Sequence, residues 1–133
     1  MTPNEQLKAA QQQVREFMLK AGQECPSKPM MAPLHVFRLR QKLHLEETID
    51  EFTLSNVNDD IVGIADSLAD SLVVILGTAC AYGIDIAPVF EEVMRSNMTK
   101  FIDGHKREDG KWIKGPSYSP ANLEPIIEQQ QQC

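Results

Sequence analysis

Aromatic residues are scarce in this chain of 133 residues, at 6%. Sandwiches and barrels depend on aromatic and β-branched strands, so the scarcity speaks against them, while the plentiful Leu, Ile, Val, Ala and Met suit helices. Positive charge is also short. Lys and Arg number 13 against 19 Asp and Glu, a net charge of -6. Duplex binding needs a positive face, so nucleic acid is not an expected partner. Cysteine is limited to Cys25, Cys80 and Cys133, with no CxxC spacing. That argues against a zinc site or a disulfide framework; it fits reduced thiols in the cytoplasm, with Cys80 packed in the core. No basic segment followed by an apolar one opens the chain, so no signal peptide is expected. The longest apolar stretch, Ile61 to Tyr82, is broken by Asp66 and Asp70, which argues against a membrane span.

What is present reads as one all-α domain over 1–133, with a four-helix-bundle core at about 3–101 and a basic loop and tail at 102–133. Thr2, Pro3 and Glu5 form a helix start with a capping box, and Leu7, Ala10, Val14, Phe17 and Met18 follow on one face. Gly22 can end this helix, and the prolines between 26 and 33 form a connector. A second helix is expected from about Pro33 to Leu54, and a turn over 55–60 offers Asp59 or Asp60 as the next cap. The third, from about Asp60 to Tyr82, is apolar nearly all round and should be the buried central helix. Gly83 suits its C′ position, and Asp85 caps a fourth helix. The final Glu-Gln run is expected to fray.

The informative feature is acid on faces that ought to be apolar. At 100° per residue, Leu43, Glu47, Asp50, Glu51 and Leu54 share one side of the second helix, with Glu46 at its edge. On the third helix Asp66 and Asp70 lie one turn apart, in line with Val62, Val73 and Gly77. Burying unpaired carboxylates costs several kcal/mol each, roughly, so a cation is implied. Mg²⁺ suits the setting: it prefers oxygen ligands and keeps waters for a phosphate substrate. A di-iron centre would want Glu-x-x-His pairs, and helix three offers no His.

Residues 39–52, LRQKLHLEETIDEF, resemble the EExxE helix of the all-α nucleoside triphosphate pyrophosphohydrolases of the MazG-like group. Residues 64–74, IADSLADSLVV, resemble their second acidic helix. Residues 93–100 and 109–116 look like the downstream segment of a phage and bacterial subgroup. The group also includes phosphoribosyl-ATP pyrophosphohydrolase and dimeric dUTPases. The resemblance implies Mg²⁺, with Mn²⁺ substituting, at two or more ions per site. It implies cleavage between the α and β phosphates, leaning toward dGTP or GTP in nucleotide-pool control. It further implies a homodimer or homotetramer in the cytoplasm, the host's if phage-encoded.

On that basis Glu47, Asp50, Asp66 and Asp70 are the expected metal ligands, with Glu51 in reserve. Glu46 and Glu47 take the catalytic assignment, Glu46 as a further ligand or as the base that orients water. Two departures stand out. Asp50 replaces the usual Glu of the first motif, and, counted from Asp66, the Glu of the second Glu-x-x-Asp motif falls at Gly63.

Between Arg95 and Lys114, six bases face Asp103, Glu108 and Asp109, a net +3. Arg95, Lys100, Lys111 and Lys114 are the phosphate-contacting candidates, and Asn97 and Tyr118 those for sugar or base. Arg38 and Arg40 can pair with carboxylates instead. His35, His44 and His105 read as surface or packing residues, and Trp112 as packing or base stacking. A second class of function, a non-catalytic helical module that binds nucleotide or protein, is favoured by Gly63.

Overall fold

Local capping fixes where the helices begin. The computed structural model describes residues 1–132; Cys133 lies outside the described residues. Helix α1 (Pro3–Lys20) starts in the expected capping box: Glu5 N–H donates to Thr2 Oγ1 at 3.1 Å and Thr2 N–H to Glu5 Oε2 at 2.9 Å. Its inward face carries Val14 and buried Met18, but Phe17 stays 61% exposed.

The second helix forms a rod in three stretches: α2 (Leu34–Leu43), a π-helical segment (His44–Asp50) and α3 (Glu51–Val57). The π segment was not legible in the pattern. A turn follows with Asp59 at φ 51, and Asp60 Oδ1 accepts from Gly63 N–H at 2.9 Å to cap α4 (Ile61–Ala81). Gly83 ends α4 at φ 68, where a Cβ would strike the Lys28 carbonyl. Asp85 then caps α5 (Ile86–Met98) through Ala87 N–H.

Helix α4 is the packing centre: α1 and all three stretches of the rod lie against it, and α5 lies against α1. The core joins Met18 to Cys80 and Ala81, with Val14, Cys25, Val36 and Tyr82 packed around them; Val74, Leu76 and Ala79 of α4 are buried too. Cys25 and Cys80 are free thiols, Cys80 buried. Burial on α4 is one-sided, however. Ile61, Val62, Leu68, Leu72, Val73 and Ile75 are exposed, as are Leu45, Ile49, Phe52 and Leu54 on the rod. By length and composition α4 could cross a membrane, but it carries Asp66 and Asp70 and packs along α1 and the rod.

The tail is ordered rather than frayed. A short helix α6 (Lys100–Asp103) leads to an antiparallel pair, β1 (His105–Lys106) and β2 (Trp112–Ile113), then to α7 (Glu124–Gln132). The Gln130 side chain accepts from Asp85 N–H at 2.9 Å and donates to Asp85 C=O at 3.0 Å, tying α7 to the start of α5. The all-α expectation holds, with this two-residue hairpin as its small exception.

Candidate active site

The π segment decides which acids meet. Its bonds run i→i+5, and Glu51 N–H reaches back to Glu46 C=O. Such a turn holds about one residue more than an α-turn, so the residue stacked on Glu47 becomes Glu51, and Asp50 swings aside. Carboxylate oxygens of Glu47, Glu51 and Asp70 lie within 4.8 Å of one another. Asp50 and Asp66 are exposed and do not join them. Glu46 is half-buried, with Lys42 Nζ at 3.8 Å.

The three acids repel. The Glu47 carboxyl is pushed up to about 7, first by a shared hydrogen bond with Glu51, then by desolvation and the charges of Glu51, Asp70 and Glu46. Its Oε2 is buried without a hydrogen-bond partner. An unpartnered oxygen in that position, with two carboxylates beside it, fits a hard divalent cation. Glu47, Glu51 and Asp70 could hold one.

With Asp70 in the cluster, the Glu-x-x-Asp spacing counts back to Ser67 rather than Gly63. Ser67 is buried and donates its hydroxyl to Ile64 C=O at 2.9 Å. Gly63 has a separate reason to lack a side chain: a Cβ there would sit 2.6 Å from both Asp60 Oδ2 and Ser55 Oγ, in the α4 cap.

The basic candidates mostly serve the tail. Arg95 grips Glu92 through two nitrogens, at 2.7 and 3.0 Å, and donates to Ser119 Oγ and Pro120 C=O, both at 3.1 Å. Arg95 first, and then Asn122 N–H, which donates to Glu92 Oε2 at 2.8 Å, hold the Glu92 carboxyl down to about 2. Lys114 Nζ stands 5.0 Å from the centre of the Tyr118 ring, and Tyr118 Oη accepts from Ser96 Oγ at 3.0 Å. Lys111 is exposed; Asn97 and Lys100 are half-buried. Trp112 packs edge-on against Phe101 at 4.9 Å. None of these residues lines the cavity that contains Glu47 and Asp70.

Arg40 does line that cavity. It is 5% exposed, and no carboxylate ion-pairs with it, or with Arg38, among the described residues. Arg40 Nε donates to Thr78 Oγ1 at 3.0 Å and Nη2 to Val74 C=O at 2.8 Å. The Thr78 hydroxyl spends its one hydrogen on Val74 C=O, so its lone pairs accept from Arg40 and from His44 Nε2 at 2.9 Å. Gly77 makes the room: a Cβ there would lie 2.7 Å from Arg40 Nη2. The available sequence signal was the seven-residue spacing from Arg40 to Glu47, which puts both on one side of the rod.

The sequence model of the phosphoribosyl-ATP pyrophosphohydrolase family matches residues 14–97. The chain belongs to that family. It lies within the MazG-like superfamily, and membership carries pyrophosphohydrolase activity on a nucleotide. No individual curated protein matches the chain. The family match takes in the last two turns of α1, the whole rod, α4 and nearly all of α5, and so includes the carboxylate cluster and Arg40. The tail from Met98 onward lies beyond it.

Proposed function

We propose that the protein hydrolyses a nucleoside or deoxynucleoside triphosphate between the α and β phosphates, giving a monophosphate and pyrophosphate. The Glu47–Glu51–Asp70 cluster, with its unpartnered buried oxygen, carries this reading. These three acids take the metal assignment ahead of Asp50 and Asp66. Bound Mg²⁺ or Mn²⁺ would supply charge neutralisation for the triphosphate and a more acidic bound water. Glu46 beside the cluster orients the attacking water and receives its proton. Water oxygen forms the new bond to the α-phosphorus as the α–β bridging bond breaks, and the electron pair leaves with pyrophosphate. Resemblance at 93–100 and 109–116 supports a triphosphate of the dGTP or GTP kind, in nucleotide-pool control, over phosphoribosyl-ATP.

A second copy is the natural cover for the exposed apolar residues of α4 and the rod, in a homodimer or homotetramer. In such an assembly Lys100 and Lys111 would be available to a neighbouring subunit's triphosphate. The cytoplasm is the expected compartment, with neither nucleic acid nor membrane as partner. One observation favours the alternative of a nucleotide-binding module without turnover: Ser67 stands where the motif has a metal-binding Glu.

The deciding experiment incubates the protein with all NTPs, dNTPs and phosphoribosyl-ATP, with Mg²⁺, Mn²⁺ or chelator, and identifies products by mass spectrometry. Metal-dependent monophosphate plus pyrophosphate is expected. Nucleotide binding without any such product would select the non-catalytic module.

A further inference from the structure

We propose that the cavity beneath the carboxylate cluster receives the nucleobase, and that Arg40 makes it selective for bases presenting carbonyl acceptors. This rests on the nucleotide reading of the site. The cavity has a volume of about 290 Å³ between α1, the rod and α4. Glu47 and Asp70 line it at one end; Arg40 lines it two helical turns back along the rod. Seven residues at 1.5 Å rise put the two levels roughly 10 Å apart, a separation of the order of a nucleoside's length.

A guanidinium and a carboxylate cluster thus share one cavity without pairing. Leaving opposite charges apart in a confined space costs stability, and each lacks the partner that would balance it. A metal ion answers the carboxylates. Arg40 can serve an acceptor, because it offers only donors, and just two of its nitrogens are committed, to Thr78 and Val74.

The walls decide what kind of acceptor. Val14, Phe17, Met18, Leu43 and Val73 are apolar, and Gln23 adds one neutral amide. A phosphate would want several donors and a second cation, and the lining supplies neither. Apolar walls with one or two placed polar groups suit a flat heterocycle. On its exocyclic edge guanine presents O6 and N7, and uracil or thymine presents O4, all acceptors. Cytosine presents an amino donor there, and adenine an amino donor beside its N7, and these amino groups would face the donors of Arg40. The geometry therefore favours keto bases over amino bases.

The test reads binding separately from catalysis. Affinities of dGMP, dUMP, dAMP and dCMP are measured by titration calorimetry in Mg²⁺ with the full chain, beside turnover of the four triphosphates. The keto monophosphates should bind roughly tenfold or more tightly than the amino ones, and Arg40→Met should shrink that ratio to about twofold or less. Val73→Phe, which narrows the cavity, should weaken all four. Equal affinities in the wild type overturn the proposal even if Arg40→Met does not fold. So does Val73→Phe binding all four unchanged, or a ratio that survives in a folded Arg40→Met. Turnover without base preference would sink the pocket and leave the hydrolase standing. Keto-selective binding without turnover would do the reverse.

Discussion

Replacing Glu47 by Gln should stabilise the metal-free protein while abolishing the activity. The Glu47 carboxyl sits at about 7 against an ordinary 4.5, because Glu51, Asp70 and burial oppose its charge. A folded value raised above the unfolded one means that the carboxyl's contribution to stability is complete below pH 4.5. It is then lost as pH climbs to about 7. At roughly 1.4 kcal/mol per pH unit the ceiling is about 3.5 kcal/mol. The cluster is partly open to solvent and ions, so about 1 kcal/mol is the expected share. For a chain of this size that is roughly 3–5 °C in Tm. Gln keeps the shape and never ionises. In chelator at pH 8, Glu47→Gln should therefore melt about that much above wild type, and the gap should close near pH 4.5. Mg²⁺ should reverse the order, since tenfold over its Kd it adds about 1.4 kcal/mol to the protein that binds it and little to the variant. Melting curves at fixed protein concentration, by circular dichroism, measure both proteins in each condition. A wild type more stable than Glu47→Gln in chelator at pH 8 would show that the three acids do not repel as described.

The same shift governs metal uptake: Mg²⁺ affinity should rise with pH until about 7 and flatten above it, read by titration calorimetry at several pH values. Gly77→Ala should lower stability by about 1–3 kcal/mol in urea, because its Cβ drives Arg40 off Val74; a neutral or stabilising result would mean that the helix-propensity gain dominates. Arg95→Ala should speed proteolysis of the tail after residue 98 by freeing Ser119 and Pro120, with KM unchanged; a raised KM with an intact tail would return Arg95 to the substrate. Leu72→Asp on the exposed side of α4 should reduce the mass in light scattering toward the 14.9 kDa of one chain.

The ends of the helices were legible because capping is local. Thr2 with Glu5, Asp60, Gly83 and Asp85 each act within a few residues of the bond they make or the turn they allow. The acids were legible as a group but not as a set. A constant 100° per residue puts both Asp50 and Glu51 on the side of Glu47, and the resemblance preferred Asp50; in the wider turn at His44–Asp50 it is Glu51 that meets Glu47. The spacing rule set Asp66 and Asp70 in line with each other, and the resemblance, counted from Asp66, put the motif's Glu at Gly63; counted from Asp70, which lies in the cluster, it falls at Ser67. Arg40 was seen, but its burial depends on Gly77, 37 residues away, and no local pattern carries that. The apolar girdle of α4 promised burial all round; the chain covers one side of it and leaves the other exposed, and apolar pattern alone does not say which side a fold will cover.

The two halves of the cavity explain each other. Arg40 could gain stability by reaching a carboxylate, and two, Glu47 and Asp70, line the same cavity. What prevents it is a short chain of neutral acceptors. Thr78 Oγ1 holds Nε, Val74 C=O holds Nη2, and the missing Cβ of Gly77 lets the guanidinium lie flat against α4. His44, in the first turn of the π segment, donates to the same hydroxyl, so the element that aligns Glu47 with Glu51 also helps keep Arg40 from them. A sequence selected for stability alone would let these charges pair. Keeping them apart, at the cost of a Glu47 carboxyl raised toward neutrality, leaves one end of the cavity anionic and the other cationic. That polarity fits a ligand with metal-bound phosphates at one end and a carbonyl-bearing ring at the other.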